Sequence, residues 1–197
     1  MSDPTRSFDI GTLGGAEPAT APTKPERRPV PSNGSADIGL LVLRLAVGGL
    51  FFAHGAQKVF GLWGGLGIER TAENIARHGF TGQAGALAWA TGLVELVAGA
   101  FLVLGLLTPL AATALMAVKI VAMVVKWGVP FFAAAAPDAL ELDILLGAGA
   151  AALVFTGAGR VALDNGRTWQ RRPLPYAWLC LVLGVGAALV VVLVLRS

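Results

Sequence analysis

The chain has 197 residues, of which 55% are hydrophobic and 14% are charged, with a net charge of +3. Soluble domains carry about 25% charged residues, so this composition excludes an ordinary soluble enzyme and indicates an integral membrane protein. The single cysteine excludes an intramolecular disulfide and a redox-active cysteine pair. Two histidines leave few ligands for a haem or a histidine-based metal site, and the arginines are not arranged for nucleic-acid binding.

Residues 1–37 differ in composition from the rest of the chain. Six of the eleven prolines lie there, among Gly, Ser, Thr and charges of both signs. Such a segment cannot bury enough apolar surface to fold, so it is predicted to be a disordered cytoplasmic tail. No apolar core of a cleavable signal peptide precedes residue 38, and the first membrane helix is predicted to act as its own uncleaved targeting signal.

Five apolar runs are long enough to cross about 30 Å of hydrocarbon as α-helices. The link between the second and third runs is very short, with Pro109 at a favoured helix start, which predicts a tight antiparallel hairpin. The last run contains no charged residue. The predicted spans are residues 38–60, 84–107, 109–128, 140–158 and 175–195.

The segment between the first two spans is amphipathic. Apolar residues at Ile68 and Ile75 fall on one helical face, and Glu69, Glu73 and Arg77 fall on another. Both a short helix lying on the outer membrane surface and a solvated loop helix fit this pattern. His78, at its end, is expected to be solvated.

Basic residues orient the predicted bundle. They are concentrated in the tail and in the loop between the fourth and fifth spans, which includes the basic segment 166–174. The positive-inside rule then places the N-terminus in the cytoplasm and the C-terminus outside, in a multi-pass protein of the bacterial cytoplasmic (inner) membrane.

Two charged residues lie near the middle of apolar spans, where each costs several kcal/mol on insertion scales. Glu95 is in the second span and Lys119 is in the third. Their depths match, so an ion pair between them near the membrane midplane is predicted, and Arg44 is also predicted to reach Glu95. Such a pair can fix helix register without any other role, so a structural function and a ligand or proton function both remain open.

The first span carries three ionisable groups on one side. Arg44, His54 and Lys58 share a helical sector with Gly48 and Gly55, which allow close approach of a neighbouring backbone. His54 titrates near neutral pH and can exchange protons with a redox or acid–base partner. Lys58 has a simpler alternative, in which its side chain extends to the membrane interface.

Three sequence runs resemble the DoxX family of bacterial membrane proteins. They are LRLAVGGLFFAHGAQKVFG, TGLVELVAGAFLVLGLLTPLAA and ELDILLGAGAAALVFTGAGRVALD. The resemblance covers residues 38–165 and implies an all-α membrane protein with a DoxX-like four-helix bundle. The chain departs from the family pattern in two places, because it adds the tail and one extra C-terminal transmembrane helix, residues 175–197.

The resemblance also implies a function. Related DoxD proteins are subunits of a thiosulfate:quinone oxidoreductase, and other DoxX-like proteins are linked to oxidative-stress complexes. The chain is therefore expected to be a membrane subunit of a quinone- or thiosulfate-linked redox complex, with other protein subunits as partners. Quinone is the implied cofactor, without an intrinsic haem, flavin or metal site. The expected catalytic residues are His54 and Glu95, and the expected substrate- or quinone-binding residues are Arg44, Lys58, Lys119 and Glu141.

Two other classes of function remain open on the sequence. A non-catalytic membrane anchor or assembly subunit would use the tail and the basic loop to recruit a partner. A small proton-coupled transporter would use the intramembrane Glu95 and Lys119, although no inverted repeat is visible in the sequence. Whether the chain is itself an enzyme is not decided by its residues.

Overall fold

The computed structural model describes residues 33–132, 134, 139–171 and 173–196. The predicted tail lies outside the described residues up to position 32, and the described chain is organised as α-helices. These are α1 (Gly34–Phe60), α2 (Gly67–Arg77), α3 (Ala84–Leu104), α4 (Thr108–Val125), α5 (Glu141–Thr156), α6 (Thr168–Arg171) and α7 (Pro173–Val194).

The helices confirm an all-α, multi-pass membrane protein. Four of them, α1, α3, α4 and residues 174–194 of α7, are long and apolar enough to cross a membrane. Helix α5 is shorter, with 16 residues and a length of about 24 Å. It packs against α4, α7 and α1, and it runs from one end of the bundle to the other.

We name the two ends of the bundle by what they contain. The Asp164 end holds the start of α1, the α3–α4 turn and the loop 157–167 that follows α5. The cavity end holds the end of α1, helix α2, the start of α3, the end of α4 and the start of α5. Helix α7 starts near the Asp164 end, and its later residues reach the cavity end.

Helices α1 and α3 form the most extensive contact in the bundle, and glycines make it possible. A Cβ on Gly48 would lie 2.8 Å from the carbonyl oxygen of Gly99, and a Cβ on Gly99 would lie 2.6 Å from the amide nitrogen of Phe52. Gly55 is equally close to the backbone of Leu96. The predicted close approach of a neighbouring backbone to Gly48 and Gly55 is therefore confirmed.

The predicted tight hairpin between α3 and α4 is only half right. The connecting turn is short, with Gly105 and Leu107 both at positive φ (66° and 46°). However, α3 packs mainly on α1, and α4 packs mainly on α5 and α7. The glycine face of α3 packs against α1. Beyond the turn, α3 is therefore in looser contact with α4 than with α1.

The loop after α5 fastens the Asp164 end of the bundle. Asp164 is fully buried, and its carboxylate accepts hydrogen bonds from the backbone N–H groups of Leu107 and Thr108 at 2.9 and 2.8 Å. It thereby caps the start of α4, where Leu107 provides no side-chain acceptor. In the same loop, the N–H of Arg160 donates to the Asp37 carboxylate on α1 at 2.9 Å.

Helix α2 is part of the bundle. It packs against α3 and α1, and its charged face, with Glu69 and Glu73, is exposed. Thr71 on the opposite face is buried, and its hydroxyl donates to the carbonyl of Gly67 at 2.7 Å. One face of α2 thus covers the cavity described next, and the other face is exposed.

Candidate ligand-binding cavity

A cavity of about 1030 Å³ lies at the cavity end of the bundle. Helices α1, α2, α3, α4, α5 and α7 all contribute to its wall. Its apolar lining comes mainly from α3, α4 and α7, whereas its charged lining comes from α1, α3, α4 and α5. The ionisable side chains that line it are His54, Lys58, His78, Glu95, Lys119, Lys126, Glu141 and Asp143.

The most deeply buried charge in the cavity wall is Glu95. Its side chain is fully buried, and one carboxylate oxygen, Oε2, accepts from the Nζ of Lys58 at 2.5 Å. The close α1–α3 contact brings the two side chains together. The other oxygen, Oε1, is buried and has no hydrogen-bond partner among the described residues. Glu95 lines the cavity, and a buried carboxylate oxygen without a partner calls for a proton or a hydrogen-bond donor.

A second charged cluster links α4 to α5. Asp143 accepts from Lys119 through Oδ1 and from Lys126 through Oδ2, both at 2.8 Å. Lys119 and Lys126 lie seven residues apart and therefore on one face of α4. Lys119 also lies over the ring of Phe51, 5.3 Å from its centroid. Two ammonium groups share the Asp143 carboxylate, while the whole cavity wall carries three lysines and three acidic residues.

The predicted Glu95–Lys119 ion pair is wrong. Both residues are buried at the predicted depth, but Glu95 pairs with Lys58 on α1 and Lys119 pairs with Asp143 on α5. The reason is the packing described above. The face of α3 that carries Glu95 is turned to α1, and the face of α4 that carries Lys119 is turned to α5.

Arg44 is the one expected site residue that does not line the cavity. It is 1% exposed and lies at the Asp164 end, where its guanidinium donates to the carbonyl oxygen of Val161. It is attracted by the charge of Asp164 and lies against Gly105, where any Cβ would overlap it. About 15 Å of helix separates Arg44 from His54, which lines the same cavity as Glu95. The predicted contact between Arg44 and Glu95 is therefore also wrong.

The other expected residues do share the cavity. His54 is partly buried in the wall, within range of the charges of Lys119, Glu95, Lys58 and Asp143. Glu141 is half-buried at the start of α5. The structure thus brings His54, Lys58, Glu95, Lys119 and Glu141 together around one space.

The expected site residues leave out three ionisable residues of the cavity wall. Asp143 was not predicted as a site residue, although an acidic residue in the first turn of α5, together with two lysines on one face of α4, indicates an ion-pair cluster. Lys126 is the second of these lysines. His78, expected to be solvated, is partly exposed and also lines the cavity, and its Nδ1 lies 2.8 Å from the carbonyl oxygen of Asn74. Only the packing of α2 onto α3 reveals that placement.

The donor set suits an organic or anionic ligand. Ammonium and imidazole groups can donate hydrogen bonds to carbonyl or oxyanion oxygens, and carboxylates can accept protons. Among the described residues, no cluster of three or more His, Cys, Asp or Glu side chains could hold a metal ion.

Comparisons with known proteins identify the family of the chain. The DoxX family model matches residues 39–127, and the model described as "TQO small subunit DoxD" matches residues 86–183. The chain is 32% identical over 133 residues to a Bacillus subtilis (strain 168) protein named "Putative oxidoreductase CatD", covering 67% of this chain and 89% of that protein. No solved structure matches the chain. With the membrane bundle described above, these matches show that the chain belongs to the DoxX family.

Proposed function

We propose that this chain is the membrane subunit of a redox complex and that its cavity holds the head group of a membrane quinone. The names of the matched relatives, a TQO small subunit and an oxidoreductase, support the redox link. The observation that carries the proposal is the buried Glu95 carboxylate, which Lys58 holds by one oxygen only, in the wall of a large cavity.

The residues of the cavity fit a quinone head group. Its carbonyl oxygens need hydrogen-bond donors, which Lys58 and His54 supply, and its ring needs apolar walls, which Val94 and Val118 supply. A bound quinone supplies chemistry in which two electrons and two protons are taken up together. The buried, unpaired Oε1 of Glu95 is the atom placed to hold or release one of those protons.

The other charged groups have supporting roles in this proposal. Lys58 orients the Glu95 carboxylate and donates a hydrogen bond into the cavity. His54 lines the cavity within range of both charged clusters and relays protons between the cavity and the aqueous face. The ammonium groups of Lys119 and Lys126 stabilise negative charge that develops on the ligand. The electrons come from a partner subunit, in keeping with the small-subunit description of the relative.

Quinone binding to the purified protein in lipid nanodiscs tests the proposal. We expect Lys58→Met to weaken binding by about 10- to 100-fold, the usual loss for a hydrogen bond from a charged donor. Glu95→Gln should lower quinone-coupled turnover of the assembled complex by about 100-fold or more. Glu69→Gln, on the exposed face of α2, is the matched control and should change neither quantity.

Two results would contradict this function. One is a wild-type protein that binds no quinone at lipid-like concentrations. The other is a Glu95→Gln variant with full quinone-coupled turnover, which would leave Glu95 with a structural role only.

A second function, a non-catalytic anchor, is favoured by the basic loop at the Asp164 end. Arg160 and Arg167 are exposed, and the hydrogen bond from Arg160 to Asp37 fixes the loop to α1. A fixed basic surface suits docking of an acidic partner. If Arg160→Gln/Arg167→Gln loses co-purifying subunits while wild-type protein carries no quinone, the anchor is the correct function.

A further inference from the structure

We infer that the ligand of the cavity is an amphiphile whose apolar chain lies in a groove between α3 and α4. The inference rests on the proposed function, because it assigns the chain of the same quinone to a place on the protein. The groove is also a path between the cavity and the bilayer.

The groove is apolar throughout and faces the lipid. It has a volume of about 290 Å³, and the described residues that line it are all apolar. On its rim, Leu93 and Val97 of α3 and Leu110 of α4 are between 44% and 52% exposed. Its floor is made of Ala98 and Ala111, which are buried. The looser packing of α3 on α4 leaves this space open.

The groove begins where the charged cavity ends. Val94 and Ala114 line both spaces, so they mark the junction. Val94 directly precedes Glu95 in α3. A ligand with its head group beside Glu95 therefore has an apolar exit next to it.

The direction and position of the groove select the kind of occupant. From Ala114 back to Leu107 it runs about 10 Å along α4, from the cavity toward the Asp164 end. The groove joins the charged cavity at Val94 and Ala114, so the apolar chain of a ligand whose head group lies in that cavity is the occupant that suits both spaces.

Photolabelling in nanodiscs tests the assignment. The probe is a benzoquinone head group on a long chain that carries a diazirine, and the labelled residues are identified by mass spectrometry. We expect labels on residues 93–101 and 107–114. Ala114→Phe should fill the junction and reduce those labels by about tenfold. Ala46→Phe, at an exposed alanine of α1, is the matched control and should leave them unchanged.

A second variant guards against misfolding of the first. Val97→Trp changes an exposed position on the groove rim, so it should fold normally and also reduce the labels. The inference is overturned if labels spread over the lipid-facing sides of α1 and α7 in proportion to exposure. It is equally overturned if neither variant changes the labels.

A chainless benzoquinone competitor separates this inference from the proposed function. If it displaces the probe and the labels lie in the groove, both stand. If it displaces the probe but the labels lie elsewhere, the groove assignment alone fails. If groove labels persist with excess competitor and with Glu95→Gln, the groove binds chains without the cavity, and the inference fails. A wild-type protein that retains no quinone overturns both.

Discussion

At the scale of single residues, the buried Glu95 depends on its ion pair with Lys58. A charged carboxylate without exposure to water is costly, and Lys58, whose side chain is 31% exposed, is its partner. Removing one member leaves the other charge without compensation. Removing both charges together avoids that penalty.

A double-mutant cycle makes this quantitative. Lys58→Met should lower the free energy of unfolding by about 3–5 kcal/mol, because it leaves a buried carboxylate unpaired. Lys58→Met/Glu95→Gln should recover a large part of that loss. Denaturant or thermal unfolding in detergent measures both, with Arg70→Met on the exposed face of α2 as control. If the loss of unfolding free energy in the double variant equals the sum of the losses in the two single variants, the two side chains do not interact.

Asp164 has a different role, because its carboxylate substitutes for a missing helix cap. Asp164→Asn should lower the free energy of unfolding by about 1–2 kcal/mol, since the amide can accept at one atom only and carries no charge at the start of α4. Thermal unfolding of the variant measures the loss. A midpoint equal to that of the wild type would mean that solvent replaces the carboxylate at the α4 terminus.

From the sequence it is easier to predict which residues of the site are buried than to predict which side chains they pair with. Helical periodicity places Glu95 and Lys119 on inward faces at matching depth, and the structure agrees. It does not say which neighbouring helix each face meets, and this is why their predicted pairing is wrong. Arg44 shares a helical sector with His54, but its distance along α1 puts it at the other end of the bundle.

At the scale of secondary-structure elements, glycines decide which helices touch. Gly48 lies against α3, whereas nothing lies within 4 Å of a Cβ placed on its neighbour Gly49. The two positions thus form a natural pair of test and control within one helix.

Substitution by alanine should have opposite effects at these two glycines. Gly48→Ala should destabilise the protein, because its Cβ would lie 2.8 Å from the backbone of Gly99. Gly49→Ala should be neutral or stabilise by up to about 1 kcal/mol through helix propensity. Thermal unfolding compares them directly. Equal effects at both positions would contradict the close α1–α3 contact.

The ends of the helices were predicted to within four residues, and the differences have local causes. Helix α3 ends earlier than predicted because Gly105 adopts a left-handed conformation. Helix α1 begins earlier because the Asn33 side chain accepts from the N–H of Ala36. The length of an apolar run alone predicts neither of these helix ends. The placement of α2 over the cavity depends on tertiary packing and could not be predicted from the sequence.

At the scale of the whole molecule, helix α7 completes the cavity wall. It packs mainly on α4, where Gly184 lies against Thr113, and its Ala188 and Val191 line the cavity. Helix α7, which the sequence resemblance left out but which the DoxD model matches up to residue 183, therefore contributes to the candidate site. A truncation before α7 would open the cavity on that side.

The orientation of the bundle remains a prediction that cysteine labelling can test. In a Cys180→Ser background, Arg167→Cys reports on the Asp164 end and Glu69→Cys reports on the cavity end. We expect a membrane-impermeant maleimide to label position 69 in intact cells and position 167 only after lysis. The reverse pattern would place the cavity mouth on the cytoplasmic side.

The hydrogen bonds that Leu107 and Thr108 donate to Asp164 also affect the order in which the protein folds during its synthesis. Asp164 lies 56 residues after Thr108, so the ribosome synthesises the start of α4 well before the acceptor that caps it. Until α5 and its loop follow, the first amides of α4 must find other partners at the membrane surface. Closure of the Asp164 end is therefore a late event in biogenesis, and a nascent chain stalled before residue 164 would leave that end open.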